Sequence, residues 1–304
     1  MSRVDEALQA WEKRASGGAS SPRSRVSVGE APNRFGLGGY QREEPASPEL
    51  PQPPEVTAPV APAVAEFRRS AVSRAGVGAD LEARLVTLAS GSVSLEQYRR
   101  LAAVLHDVQL QQGLKTLMLT SALPGEGKTL TIVNLALTLS ESYGRRVLII
   151  DADLRWPSVH KVLGVENSAG LSEALQGERF DLSIHQVSPR LAVLTAGHPG
   201  LTPLAGLTSA RMAAVIEECA KQFDWVLLDT PPVGLLPDAQ LLARLTRAVV
   251  FVIAAGVTPA AAVERAVADL GPDCVIGTVL NRIDERRIPE AGYYSRYGET
   301  AGSI

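Results

Sequence analysis

The 304-residue chain is 45% hydrophobic and 21% charged, the proportions of a globular protein long enough to bury a sizeable core. A formal net charge of -3 argues against a basic protein that coats nucleic acid or an anionic lipid surface. Two distant cysteines, Cys219 and Cys274, and four scattered histidines, His106, His160, His185 and His198, offer neither a disulfide framework nor the spacing of an iron-sulfur or zinc site.

No run of about 18 apolar residues occurs, and the opening "MSRVDEALQAWEKRASG" lacks the apolar centre of a signal peptide. A cytoplasmic protein is expected, held at the inner face of the membrane only through a partner. Residues 1–15 place Val4, Leu8 and Trp11 at helical spacing, with Asp5 and Glu6 first and Lys13 and Arg14 last, the order that suits a helix dipole. This predicts a short amphipathic helix. Residues 16–91 read as a disordered linker, because "EEPASPELPQPPEVTAPVAP" carries seven prolines, which remove backbone donors and favour extended conformers.

The character changes at residue 92, and residues 92–284 read as one domain. "SVSLEQYRRLAAVLHDVQLQQG" puts Leu95, Tyr98, Leu101, Ala102, Leu105 and Val108 on one helical face, with Gly113 as the stop. Short apolar runs then alternate with helical stretches: "KTLMLTS", "RRVLIIDAD", "LAVLTAG", "FDWVLLDTPP", "AVVFVIAAG" and "CVIGTVLNR". Runs that are apolar throughout suit strands buried on both faces, and the intervening helices supply crossovers. The prediction is an α/β fold with a mostly parallel sheet sandwiched by helices.

Within it, "TSALPGEGKTLTIVNLALTL" runs from a predicted strand through a glycine-bearing loop into a predicted helix. The general phosphate-loop form is Gly, four residues, then Gly-Lys-Ser/Thr; Gly127, Lys128 and Thr129 match it and Ala122 replaces the first glycine. Gly125 and Gly127 let backbone N–H groups approach phosphate oxygens, and the helix from Lys128 points its positive end at them. Lys128 is placed to reach the β- and γ-phosphates, and the Thr129 hydroxyl to ligate magnesium. Carboxylates follow at two other strand ends, Asp151 and Asp153 in "LIIDADLRWP" and Asp229 in "WVLLDTPP", at the sheet edge where ligands of such folds bind. Asp229 suits a magnesium-water shell, Asp153 a magnesium ligand, and Asp151 beside it a proton acceptor for an incoming hydroxyl, although the sequence leaves open which of Asp151 and Asp153 is the base.

The set "SALPGEGKT", "IIDADLRWP" and "LLDTPP", followed by "AGYYSRYG" in the tail, resembles the bacterial tyrosine kinases (BY-kinases) that govern exopolysaccharide and capsule synthesis, over roughly residues 92–297. The resemblance implies a P-loop NTPase of deviant Walker A type that uses ATP and Mg2+. It implies that Gly125, Glu126, Gly127, Lys128, Thr129 and Leu130 hold the nucleotide and that Asp151 and Asp153 form the Walker A' motif. Arg155 joins them in catalysis, Asp229 is the Walker B residue, and Asn281 and Arg282 lie near the adenine. It further implies that Tyr293, Tyr294 and Tyr297, in a flexible tail from residue 285 to 304, are phosphoacceptors. The implied partners are a membrane polysaccharide co-polymerase as activator, a homo-oligomeric ring and a phosphotyrosine phosphatase, with no nucleic acid.

The chain departs from the family at one interface motif, Glu, two residues, Arg, two residues, Arg. Glu96 and Arg99 fit, but Ala102 stands where the second arginine belongs, leaving Arg100 as a substitute or as a partner for Glu96. Two other readings remain open in the sequence. One is a positioning ATPase of the septum-site or partition type, though "ALPGEGK" has no early lysine; the other is a nucleotide-binding regulatory module without kinase activity.

Overall fold

The computed structural model describes residues 66–71, 85, 93–177, 181–198, 206–235 and 237–283. The predicted helix over 1–15, most of the expected linker and the tyrosine-bearing tail lie outside the described residues. In chain order the elements are β1 (Glu66–Ala71), α1 (Val93–Gln112), β2 (Thr116–Ser121), α2 (Lys128–Glu141), β3 (Val147–Asp151), α3 (Val159–Leu163), α4 (Leu171–Gln176) and β4 (Asp181–Ser188). They continue with β5 (Leu191–Leu194), α5 (Ala210–Gln222), β6 (Trp225–Asp229), α6 (Asp238–Thr246), β7 (Val249–Ala254), α7 (Ala260–Leu270) and β8 (Val275–Asn281).

The strands form one sheet of order β1-β4-β5-β3-β6-β2-β7-β8. Neighbours run parallel, except for the antiparallel pair β4 and β5. All six apolar runs predicted as strands are strands; for β2, β3, β5, β6 and β7 the reason lies in two covered sides, whereas β8 is an edge strand with no fully buried residue. Leu117, Leu119, Ile149, Leu227 and Val250 pack with α1, α2 and α3, while their neighbours Met118, Leu148, Val226, Leu228 and Phe251 pack with α4 to α7. Helices therefore cover both faces, which is what an unbroken apolar strand requires.

Two strands depart from the sequence reading. β1 lies within the stretch read as linker, yet it pairs in parallel with β4 from Glu66↔Asp181 to Ala71↔Gln186. The proline run ends at Pro62, so the backbone donors of 66–71 are intact and can join a ladder. β4 itself escaped the reading because it alternates: Leu182 and Ile184 are buried between half-exposed Asp181 and Ser183.

α1 follows its predicted face. Leu95, Ala102 and Leu105 are buried, and Gly113, at φ +67°, ends the helix with its N–H on the Gln109 carbonyl at 2.8 Å. Glu96 pairs with Arg99 at 2.5 Å along the helix. Ala102 is fully buried, so this position presents no side chain to solvent. Among the described residues no helix is long and apolar enough to cross a membrane.

Candidate active site

Strand register brings the carboxylates together before any loop is considered. Asp151 at the end of β3 is the Cα partner of Asp229 at the end of β6, and Asp229 is in turn the partner of Leu119 on β2. β3, β6 and β2 are consecutive in the sheet, so their C-terminal ends present one continuous edge. The loop from Ala122 to Gly127 leaves β2 there and feeds α2.

That loop is laced to the segment after β6. The Thr120 hydroxyl donates to the Pro231 carbonyl, and the Thr230 hydroxyl to the Leu119 carbonyl, each at 2.8 Å. Val233 N–H donates to the Ser121 carbonyl at 2.9 Å, and Gly234 N–H to the carbonyl of Ala122 at 3.3 Å. A side chain at Gly234 would bring its Cβ within 2.8 Å of that carbonyl oxygen, so glycine permits the approach. Ala122, at the site of the usual first glycine, is buried beneath it.

Gly127 takes φ +95° and precedes the first turn of α2. The conformation favours glycine, and a Cβ here would fall 2.0 Å from the Asn281 amide nitrogen, displacing that side chain. Asn281 Nδ2 donates to the Glu126 carbonyl at 2.8 Å, and Arg282 Nη2 donates to the carbonyl of Gly125. With two loop carbonyls engaged from outside, the N–H groups that open α2 remain for an anion, reinforced by the helix dipole.

Lys128 begins α2 and is 8% exposed. Its charge acts on both Asp153 and Asp229. The Thr129 hydroxyl donates to Asp229 Oδ2 at 2.7 Å and lies 2.8 Å from the Ser158 hydroxyl. Asp229 Oδ1 is buried and has no hydrogen-bond partner. Burial is the main reason its pKa rises to about 6, with Asp153 adding to the rise against the Thr129 hydrogen bond and Lys128.

The two remaining carboxylates divide. Asp151 is fully buried, its Oδ2 accepting the N–H groups of Ser158 at 3.1 Å and Val159 at 3.0 Å, and its Oδ1 that of Asp153 at 3.3 Å. It caps the start of α3. Burial, then the neighbouring Asp229, hold its pKa well above the carboxylate range. Asp153 is only partly buried and accepts the Trp156 N–H at 3.0 Å. Desolvation raises its pKa, while the Trp156 N–H and the Lys128 charge oppose the rise. Arg155 turns away to Asp238 at the start of α6, Nε to Oδ2 at 2.9 Å, with Asp238 itself buried.

The structure thus gathers Gly125, Gly127, Lys128, Thr129, Asp151, Asp153, Asp229, Asn281 and Arg282 at one edge. Leu130, on α2, is partly buried against the core on that face of the sheet, and the Glu126 carboxyl is taken up by the Leu123 N–H of the same loop and the Thr258 hydroxyl beyond β7. Tyr293, Tyr294 and Tyr297 lie outside the described residues. Ser158, Asp238 and Thr258 were not read from the sequence, since none belongs to a spaced motif.

The chemistry of the donors fits magnesium: a hydroxyl, a carboxylate whose second oxygen is buried and unpartnered, and an anion cradle beside them. Among the described residues no three His, Cys, Asp or Glu cluster as a metal cage. A cation here therefore depends on phosphate oxygens and water, as magnesium commonly does.

The family model described as the CobQ/CobB/MinD/ParA nucleotide binding domain matches residues 117–293. The tyrosine-protein kinase YwqD of Bacillus subtilis is 35% identical over 208 residues, 67% of this chain and 87% of that protein. The putative tyrosine-protein kinase CapB of Staphylococcus aureus is 30% identical over 208 residues, covering 67% and 90%. Among solved structures, the kinase domain of Escherichia coli tyrosine kinase ETK superposes with a TM-score of 0.57 at 30% identity, over 62% of this chain and 77% of that one.

Proposed function

Because the chain belongs to the bacterial tyrosine kinase family, within the CobQ/CobB/MinD/ParA class of nucleotide-binding domains, we propose that it is an ATP- and Mg2+-dependent protein-tyrosine autokinase. Its acceptors are Tyr293, Tyr294 and Tyr297. The observation that carries the reading is the Thr129–Asp229 pair, with the spare oxygen of Asp229 buried beside the N-terminus of α2 and Lys128. That arrangement suits a nucleotide phosphate with its cation.

The chain's own groups have separable tasks. The loop amides and Lys128 hold the β- and γ-phosphates and neutralise charge as it builds on them. Thr129 and Asp229 would hold a magnesium ion, which would supply further charge neutralisation on the phosphates. Asp153 accepts the proton of the tyrosine hydroxyl. As the bond from Tyr Oη to the γ-phosphorus forms, the bond from that phosphorus to the bridging oxygen breaks, and its electron pair leaves on ADP. A desolvated Asp153 with a raised pKa retains the proton better than an ordinary aspartate. Asp151 is the capping residue, since both its oxygens already accept backbone N–H groups. In this reading the kinase serves polysaccharide polymerisation or export as a homo-oligomer, activated at the membrane by a co-polymerase and reset by a phosphotyrosine phosphatase.

Peptide mass spectrometry of the protein incubated with magnesium and ATP, beside Lys128→Met, tests this. Phosphate on the three tail tyrosines in the wild type alone is expected. ATP turnover with an unmodified tail, both without and with the cytoplasmic segment of a co-polymerase, overturns it in favour of a positioning ATPase.

A further inference from the structure

Glu126 presents a contradiction that the phosphate site does not resolve. A carboxyl in the middle of a loop built to receive a polyanion repels the ligand if it points inward. It does not point inward: Glu126 is 3% exposed, and its Oε2 accepts the Leu123 N–H at 2.7 Å across the same loop. Its Oε1 accepts the Thr258 hydroxyl and, at 3.4 Å, the N–H of Ala254. The Ala254 N–H also reaches the Thr258 hydroxyl oxygen at 3.2 Å, which closes a three-membered network at the end of β7. The Glu126 carbonyl accepts from the Asn281 amide at the end of β8.

We propose that Glu126 is a positioning residue for phosphate binding, with Thr258 as its partner: together they lock the phosphate loop to the ends of β7 and β8. This rests on the nucleotide site proposed above and assigns Glu126 a different role from that of nucleotide ligand. The physical argument is pre-organisation. Gly125 and Gly127, at φ +75° and +95°, give the loop its path but leave it conformationally free. Fixing such a loop before the ligand arrives removes an ordering cost from binding. Glu126 does so at both ends, since its carboxyl fixes Leu123 at the loop entry and its carbonyl is held by Asn281 at the exit.

Thr258 gives the test, because it lies outside the phosphate loop and is only partly buried. Binding of a fluorescent ADP and a fluorescent AMP, each with magnesium, is measured for wild type, Thr258→Val, Thr258→Ser, Glu126→Ala and the double variant. Thermal unfolding without nucleotide controls for folding. Thr258→Val is expected to weaken ADP binding about threefold to tenfold and Glu126→Ala more than tenfold. AMP, which lacks the β-phosphate the loop holds, shifts less, and Thr258→Ser restores wild-type affinity. Since both residues act through one network, the double variant falls short of the product of the two single effects. Thr258→Val within twofold of wild type, multiplicative single effects, or equal losses for ADP and AMP would each overturn the proposal. Wild-type protein that binds no ADP instead defeats the nucleotide-site reading itself, so the two failures are distinct.

Discussion

Asp151 and Asp229 stand opposite each other on neighbouring strands, both buried, and differ in what their oxygens touch. Asp151 is satisfied by backbone donors, whereas Asp229 keeps one oxygen without a partner. Burial raises the pKa of both, so both cost stability when ionised, and Asp229 alone also keeps an oxygen free. In the folded protein burial raises the Asp229 pKa to about 6, against 3.8 for the free side chain. Below the lower value the group is protonated in both states and nothing is lost. Between the two values the folded protein binds the proton more tightly than the unfolded chain, so stability declines as pH rises. Above about 6 the loss is complete, on the order of 2–3 kcal/mol at about 1.36 kcal/mol per unit. Asp229→Asn is therefore expected to stabilise the unliganded protein by about that much at pH 7 and to flatten its pH dependence between 4 and 6, while abolishing magnesium-dependent ADP binding. Urea unfolding across pH checks it, and an Asn variant less stable than wild type at pH 7 would sink the assignment. Asp153→Asn, whose pKa is also raised by desolvation, is expected to change stability in the same direction and to remove phosphoryl transfer. The sequence left open which of Asp151 and Asp153 is the base, because spacing does not reveal which oxygens the following loop consumes.

At the scale of elements, α1 carries the departure from the family's interface motif. Ala102 is wholly buried and packs with α2 residues and Leu105, so the missing arginine is replaced by core. Ala102→Arg is expected to destabilise the domain by about 3 kcal/mol or more, because a guanidinium there is desolvated without a partner. Denaturant unfolding measures this. A variant as stable as wild type would mean that α1 can rotate the position outward, and its oligomeric state would then decide whether a ring interface had been restored. The same elements explain what was legible in the chain. Strands covered on both faces announce themselves as unbroken apolar runs, and the phosphate loop by glycine and lysine spacing. β4 is covered unevenly and alternates with polar residues, and β1 sits just past a proline run that masks it. The brace on Glu126 joins residues 128, 132 and 155 positions away, a separation that no local pattern encodes.

Across the whole sheet, stability and function are distributed in the same direction. The carboxylates and the phosphate loop rise from β3, β6 and β2, three consecutive interior strands, while β1 and β8 form the edges. β6 is buried at every residue, whereas β8 alternates, leaving Ile276 and Leu280 40% and 54% exposed. Local opening costs least where few apolar contacts must break. Amide hydrogen exchange is thus expected to be slowest in β2, β3 and β6, approaching global unfolding, and fastest in β1 and β8. Magnesium and ADP should slow exchange at 122–129 and 151–159, and also at 254–258 and 281–282, which the phosphate loop reaches only through Glu126, Asn281 and Arg282. Protection confined to the first two segments would show the loop closing on its ligand independently of β7 and β8. Protection of all four makes the nucleotide a clamp across the sheet from β3 to β8, and the residue that leads into the tail, Arg282, part of what it clamps.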